Sequence, residues 1–242
     1  MEFHLFTDAD NTLWDTNAVF ARAQLAMLRD VEAASQRTVP LGVKGRLGFL
    51  RRIDQYIAVQ HPDHLGYPPM LLAQGLLLAL RGATANEAVS QVLSRPDADP
   101  LLESIVERFV EQLRRLPRLR RGVRRGIAEL SEKGVQITVI SETSQHRCID
   151  LLSEHALAVF ISEVVSVRKT PQAYRRLAER HRGLRTAMVG DQLDRDVLFA
   201  SQAGFETVYF PSAFQPQWLD EIAITPDHRI ERYDDIVEVL NI

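Results

Sequence analysis

The chain has 242 residues, of which 45% are hydrophobic, and its formal net charge at pH 7 is −3. This length suits one large domain or a domain with a substantial insertion, and the nearly balanced charge excludes a general attraction to nucleic acid or membranes. The chain has one cysteine, Cys148. An intrachain disulfide and a cysteine zinc cluster are therefore excluded, and a reduced, cytoplasmic setting is expected.

The N-terminal residues lack the basic and apolar pattern of a signal peptide. The longest apolar run, Met70 to Leu80, is too short to span a bilayer and is interrupted by Gln74. It predicts a buried helix, and no association with a membrane is expected.

The first predicted element is a short strand around Phe3–Phe6, which stops at two closely spaced aspartates, Asp8 and Asp10. Two carboxylates at a strand end repel each other and lose hydration if they are buried. The stretch is therefore either an acidic turn open to water or half of a site that holds something positive.

Residues 16–116 have a different hydrophobic pattern from the rest of the chain. Five successive stretches have helical spacing, and none has the pattern of a strand. About a hundred helical residues thus follow the first strand directly, which predicts a helical module inserted into a loop. The clearest break within it is Gln60–Pro69, where His61 and His64 suggest a metal site less readily than an exposed loop.

Three later apolar runs resemble the first and end in polar residues, and helical patterns closed by glycine lie among them. Strands that alternate with helices predict a parallel sheet covered on both faces. The runs are Val135–Ser144, Thr186–Asp196 and Glu206–Phe214.

In an open parallel sheet, ligands bind at the carboxyl ends of the strands. Here those ends would bring together Asp8, Asp10, Ser141 and Asp191, with Lys169 just before a helix start. A carboxylate can attack phosphorus, a second can carry the proton, and Mg²⁺ with a lysine can neutralise phosphoryl oxygens. The inventory therefore predicts phosphoryl transfer, with Mg²⁺ held by Asp8 and Asp191 and the phosphate held by Ser141 and Lys169.

The motifs "DADNT", "TVIS", "RKTP" and "GDQLDRD" together resemble, in order, the four motifs of the haloacid dehalogenase (HAD) superfamily. The resemblance implies an α/β fold with a Rossmann-like parallel sheet core over residues 1–15 and 117–242. It also implies that residues 16–116 form an inserted α-helical cap domain of the C1 type.

The resemblance assigns the charged chemistry to three aspartates. Asp8 would be the nucleophile and a Mg²⁺ ligand, and Asp191 would be a second ligand. Asp10 would be the general acid and base, with its backbone carbonyl also on the metal. Because dehalogenases lack a carboxylate at the position of Asp10, its presence favours a phosphatase or phosphomutase.

The remaining motif residues would bind phosphate or support the site. Ser141 and Lys169 would bind the phosphoryl oxygens, and Thr12 would support the loop geometry. Asp196 would orient Lys169 or hold a metal-bound water, whereas Asp194 falls outside the strict motif spacing.

Two positions depart mildly from the family pattern. Asn11 stands where many relatives have glycine, and asparagine tolerates unusual backbone angles. Glu142 follows the motif serine, where an uncharged polar residue is common, and adds negative charge near the expected phosphate site. Such a charge would restrict substrate choice or weaken activity.

The expected activity is a Mg²⁺-dependent phosphatase that acts on a small phosphorylated metabolite through an aspartyl-phosphate. A phosphomutase uses the same motifs and stays open. So does a HAD-like binding or regulatory module that contacts a macromolecule through the cap and an arginine-rich face.

Arginines cluster over residues 114–125, and their helical spacing favours a solvated face over a nucleic-acid patch. Cys148 is expected to be a small core residue.

Overall fold

The computed structural model describes residues 3–39, 41–94, 100–213 and 223–242, without the side chains of Val43 and Leu65. The chain divides into two compact units. We call Met1–Asn17 with Leu116–Ile242 the sheet unit, and Ala18–Arg115 the helical unit. The boundaries expected from the sequence, 15/16 and 116/117, differ from these by two residues and one residue.

The sheet unit is built on six strands in the order β3-β2-β1-β4-β5-β6, and all neighbouring strands are parallel. This arrangement confirms the predicted parallel sheet. The strands are β1 (Phe3–Asp8), β2 (Gln136–Ser141), β3 (Glu163–Ser166), β4 (Arg185–Gly190), β5 (Glu206–Tyr209) and β6 (His228–Arg229).

The central strands β1, β2 and β4 are buried over most of their length and are largely apolar, because both faces of the sheet are covered. Successive side chains of a strand point to opposite faces. Accordingly, Leu5 belongs to a hydrophobic cluster with Ile127, which lies in the helix Val123–Glu132. Phe6, its neighbour in the strand, belongs to a different cluster with Tyr174 and Leu177. The sheet unit therefore has a core on each side of the sheet.

The helices of the sheet unit lie between its strands in sequence, except the last, which follows β6. They are α6 (Val123–Glu132), α7 (Gln145–Glu154), α8 (Pro171–Arg180), α9 (Phe199–Gln202) and α10 (Ile236–Val239), with a π-helical turn at Leu193–Leu198.

Two N-caps bear on the expected site. Ser144 Oγ accepts a hydrogen bond from Arg147 N at 3.4 Å, and Thr170 Oγ1 accepts one from Ala173 N at 3.2 Å. Capping satisfies backbone groups that a helix start leaves free, so α7 and α8 begin close after the motif residues Ser141 and Lys169.

The helical unit contains no strand within its described residues, as the sequence predicted. Its helices are α1 (Thr16–Ser35, which begins in the sheet unit), α2 (Val43–Gln60), α3 (Pro69–Leu80), α4 (Ala85–Ser94) and α5 (Pro100–Leu113). On α5 the buried residues Leu102, Ile105 and Phe109 follow helical spacing, which gives this helix one apolar face. Among the described helices, none is both long enough and apolar enough to cross a membrane.

The structure differs from the sequence-based elements in three places. Strands β3 and β6 were not predicted, because β3 has no fully buried residue and β6 has only two residues. Strand β5 ends at Tyr209 rather than running on to Phe214, which lies outside the described residues. The helical pattern after Asp191 begins as a π-helical turn before α9.

Candidate active site

The strand register brings the motif residues to one edge of the sheet. Asp8 pairs with Ile140, the residue before Ser141, and Thr7 pairs with Val189 on β4, whose strand runs into Asp191. The carboxyl ends of β1, β2 and β4 therefore lie side by side. Parallel pairing alone accounts for this convergence of residues that are far apart in sequence.

Lys169 joins two of the motif aspartates. Its Nζ lies 2.5 Å from Asp8 Oδ1 and 2.5 Å from Asp196 Oδ1, and all three side chains are buried. Charge-assisted hydrogen bonds of this kind fix the ammonium group in place. Gly190 permits the arrangement, because a Cβ at this position would lie 2.3 Å from Asp196 Cγ.

A cluster of carboxylates at the same edge is suited to a cation. Ligand atoms of Asp8, Asp191 and Asp196 lie within 4.8 Å of one another, and this is the one such group of three among the described residues. Asp8 Oδ2 and Asp191 Oδ1 are buried and have no hydrogen-bond partner. Three carboxylates and one ammonium leave a formal excess of two negative charges. The donor set therefore fits a hard divalent cation.

The pKa values of the buried groups reflect this crowding. Burial raises the pKa of Asp8 to about 7, with further upward contributions from Asp196 and Asp10, while Lys169 opposes them. Burial and the charges of Asp8 and Asp196 raise the pKa of Asp191. Burial would lower the pKa of Lys169, but the two carboxylates outweigh it and raise that pKa. A divalent cation would reverse the shifts of the carboxyl groups.

Asp10 lies apart from the lysine and is held by three donors. Its Oδ1 accepts hydrogen bonds from Trp14 Nε1 at 3.0 Å and Thr16 Oγ1 at 2.7 Å, and its Oδ2 accepts one from Thr143 Oγ1 at 2.6 Å. The next residue, Asn11, has a φ of 63°, a left-handed conformation that asparagine tolerates. The Asp10 carboxylate is thus held in the loop after β1, and it takes no part in the ion pairs of Lys169 with Asp8 and Asp196.

The loop that carries Asp10 is closed by backbone hydrogen bonds. Leu13 N donates to Ala9 O at 2.8 Å, and Asn11 N donates to Trp14 O at 2.8 Å. Thr12 is fully buried within this loop, and its Oγ1 has no hydrogen-bond partner.

Ser141 and Glu142 occupy the end of β2. Ser141 is buried, and its Oγ accepts a hydrogen bond from Thr143 N at 3.1 Å. Glu142 Oε1 accepts a hydrogen bond from Lys169 N at 2.9 Å, and its other oxygen is paired with Arg195. The charge that Glu142 adds near the site is therefore balanced by a guanidinium group, which the sequence did not reveal.

The remaining candidates lie outside the cluster or are core residues. His61 and His64 lie in a short turn, where His61 is partly buried and His64 is exposed, and neither belongs to a described group of three metal-ligating side chains. Cys148 is fully buried in the core, and burial raises its pKa to about 12, so the thiol stays protonated at neutral pH. Asp194 is partly buried and lies 4.0 Å from Arg195 Nε.

Three residues around the site were missed by the sequence reasoning. Thr143 follows Ser141 by two residues just after a strand end, and this position in the sequence is a signal for a residue near the site. Trp14 donates its indole N–H to Asp10, and Arg120 contacts the same loop, but no sequence signal identified either role. Arg120 is the member of the arginine cluster that does not fit the expected solvated face, because its side chain is partly buried.

The fold and the site together define an α/β protein with a buried acidic, cation-compatible cluster at the carboxyl edge of a parallel sheet. The sequence profile of the haloacid dehalogenase-like hydrolases matches residues 4–204. The chain therefore belongs to the haloacid dehalogenase-like hydrolase family. No curated protein sequence matches the chain significantly.

Several solved structures share the fold at low sequence identity. The Bacillus subtilis protein YfnB, assigned as a HAD hydrolase and bound to magnesium, has a TM-score of 0.66 and 19% identity, with 100% of both chains covered. A Thermotoga maritima protein assigned as a β-phosphoglucomutase has a TM-score of 0.63 and 20% identity, covering 100% of this chain and 99% of its own. A 2-haloacid dehalogenase from Pseudomonas syringae has a TM-score of 0.53 and 20% identity, covering 100% of this chain and 99% of its own.

Proposed function

We propose that the protein is a Mg²⁺-dependent phosphatase that hydrolyses a small phosphorylated metabolite through an aspartyl-phosphate on Asp8. The observation that carries the proposal is the placement of Lys169 between Asp8 and Asp196, with a separate carboxylate, Asp10, fixed nearby. Asp8 and Asp191 would hold the metal through their unpartnered oxygens. When bound, Mg²⁺ supplies neutralisation of the charge on the phosphoryl oxygens.

The side chains of this chain divide the reaction between them. Asp8 attacks phosphorus while the bond to the leaving oxygen breaks, and Asp10 gives its proton to that oxygen. In the second step Asp10 takes a proton from water, the water oxygen attacks phosphorus, and the bond to Asp8 breaks. Ser141 Oγ and Lys169 Nζ bind the phosphoryl oxygens throughout. Asp196 keeps Lys169 oriented, and the inserted helices would act as a cap that selects the substrate.

The nucleophile can be tested by replacing Asp8 with Asn. This variant keeps the shape of the side chain but removes the attacking charge, so release of phosphate from an aryl phosphate with Mg²⁺ should fall by at least about a thousandfold. Asp150→Asn is the matched control, since it removes an aspartate from α7 in the same unit, outside the site. Near-normal turnover by the Asp8→Asn variant would show that Asp8 is not the nucleophile.

The alternatives are separated by identifying the products formed from a panel of sugar phosphates, nucleotides, cofactors, phosphoamino acids and a 2-haloacid. Interconversion of sugar phosphates without net release of phosphate would identify a phosphomutase. Halide release from a 2-haloacid would identify a dehalogenase and leave Asp10 without the proposed role. Absence of Mg²⁺-dependent turnover on every substrate would favour a binding or regulatory module.

A further inference from the structure

Arg120 contacts two segments of backbone that flank the site. Its Nη1 donates to the carbonyl oxygen of Asn11 and, at 3.0 Å, to that of Phe210. Its Nη2 donates to the carbonyl oxygen of Pro211 at 2.7 Å. The guanidinium also lies 3.5 Å from the centroid of the Phe210 ring, within the range of a cation–π interaction.

The two segments carry or adjoin the proposed catalytic aspartates. Asn11 directly follows Asp10, and the backbone N–H of Arg120 donates to Leu13 O in the same loop at 2.9 Å. On the other side, Phe210 N donates to Gly190 O at 2.9 Å, next to Asp191. Arg120 therefore links the loop after β1 to a segment bonded to the end of β4, as a hydrogen bond from Asn17 Nδ2 to Ser212 Oγ at 3.4 Å also does.

A guanidinium is well suited to this linking position. It offers five donors in a rigid plane and can bind carbonyl oxygens from separate segments at once, whereas a lysine ammonium is a point charge on a flexible stem. Burial lowers the pKa of Arg120, while the nearby carboxylates of Asp191, Asp15 and Asp8 oppose this shift and favour the charged guanidinium. Arg120 therefore offers the site both a positive charge and a rigid set of hydrogen-bond donors.

We propose that Arg120 is a positioning residue, which fixes the loop carrying Asp10 against the strand end carrying Asp191. The aspartates then keep the spacing that the metal and the phosphoryl group need. This inference rests on the proposed function, because the spacing matters only if the site performs that chemistry. It assigns a role to one arginine of the cluster 114–125 and leaves the others as surface residues.

The experiment compares Arg120→Met and Arg120→Lys with Arg185→Met as the matched control. Arg185 also lies over a phenylalanine ring, that of Phe3, and pairs with Glu206, but it begins β4 at the opposite end of the sheet from Asp191. Hydrogen–deuterium exchange is followed in residues 9–14 and 208–213. Mg²⁺ affinity is measured by calorimetry, and kcat and KM are measured with an aryl phosphate.

Both Arg120 variants should speed exchange in the two segments and weaken Mg²⁺ binding. They should also lower kcat by about 10- to 100-fold, as expected for a displacement of about 1 Å at a reacting centre, with less change in KM. A third variant, Arg120→Ala, leaves room for a free guanidinium ion, and guanidinium chloride at millimolar concentration should restore part of its kcat. Arg185→Met should change none of these quantities beyond about twofold.

Each contrary result has a defined meaning. Wild-type exchange in both segments of Arg120→Met would overturn the proposal. Wild-type kcat and Mg²⁺ affinity in Arg120→Lys would also overturn it, since charge alone would then suffice. If the wild-type protein hydrolyses no phosphate ester, the proposed function fails, while exchange and calorimetry still decide whether Arg120 positions the loop. Arg120→Lys gives the decisive comparison if Arg120→Met fails to fold.

Discussion

At the scale of single residues, the buried charges of Asp8, Asp191, Asp196 and Lys169 are poorly explained by stability. Removing charges from water costs several kcal/mol for each ion, and a buried ion pair is often no more stabilising than apolar residues of the same volume. Here the carboxylates also outnumber the cation, and two of their oxygens have no partner. A cluster that costs stability in this way is typical of a functional site.

His4 gives a prediction for the pH dependence of stability. Burial lowers its pKa from 6.5 to about 4, with His181 and Arg180 acting in the same direction and Glu163 opposing them. Because the folded state disfavours protonation, the contribution of His4 is fully present above pH 6.5 and is lost as the pH falls from 6.5 towards 4. Urea unfolding at pH 7.5 and pH 5 should therefore show a smaller loss of free energy in His4→Gln than in the wild type.

The control for this prediction is His146→Gln, which removes a histidine whose side chain is 90% exposed. This variant should keep the wild-type pH dependence. An equal loss of unfolding free energy in the wild type and in His4→Gln would contradict the assignment to His4.

At the scale of elements, the end of β4 depends on a close approach between backbone and side chain. In Gly190→Ala, the added Cβ would collide with Asp196, which must move and weaken its contact with Lys169. We expect a loss of about 1–3 kcal/mol in unfolding free energy, typical of overpacking, and at least a tenfold loss of kcat. Denaturant unfolding and the aryl phosphate assay measure the two effects.

Gly48→Ala is the matched control for this substitution. Gly48 lies in α2, and a Cβ there would meet nothing within 4 Å. Alanine in an open helical position should stabilise the chain by about 0.5–1 kcal/mol. Equal effects of the two substitutions would show that the approach of Asp196 to Gly190 does not limit the site.

The elements that the sequence predicted well are those with a strong pattern of their own. Strands β1, β2 and β4 are largely apolar because both faces of the sheet are buried, and α2 to α5 have helical spacing, so each could be recognised locally. Strand β3 has no fully buried residue, and β6 has two residues. Such short pieces become strands by pairing with a neighbour, and this tertiary interaction leaves little trace in the local sequence.

The candidate site could be predicted from the sequence to a similar extent and for a related reason. Asp8, Ser141 and Asp191 stand at strand ends, where parallel pairing brings them together whatever the intervening chain. Arg120 and Trp14 reach the Asp10 loop through their side chains. Their roles follow from side-chain direction in the folded chain, and so the sequence pattern did not reveal them.

At the scale of the whole molecule, stability should depend on divalent cations. A ligand that binds the folded state alone stabilises it by RT ln(1 + [L]/Kd), which is about 2.7 kcal/mol at a hundred times Kd. For a chain of this size each kcal/mol corresponds to roughly 2–4 °C in Tm. Mg²⁺ should therefore raise the Tm by several degrees in calorimetric scans, and EDTA should reverse the rise.

Asp191→Asn separates binding at this site from a general effect of salt. Within the cluster of Asp8, Asp191 and Asp196, the variant lacks one of the two carboxylates that have an unpartnered buried oxygen, so its Tm should respond little to Mg²⁺. In EDTA it should unfold at or above the wild-type temperature, because it relieves the repulsion among Asp8, Asp191 and Asp196. An equal rise of Tm with Mg²⁺ in both proteins would place the stabilising cation elsewhere. A lower Tm of the variant in EDTA would instead mean that Asp191 stabilises the fold without a metal.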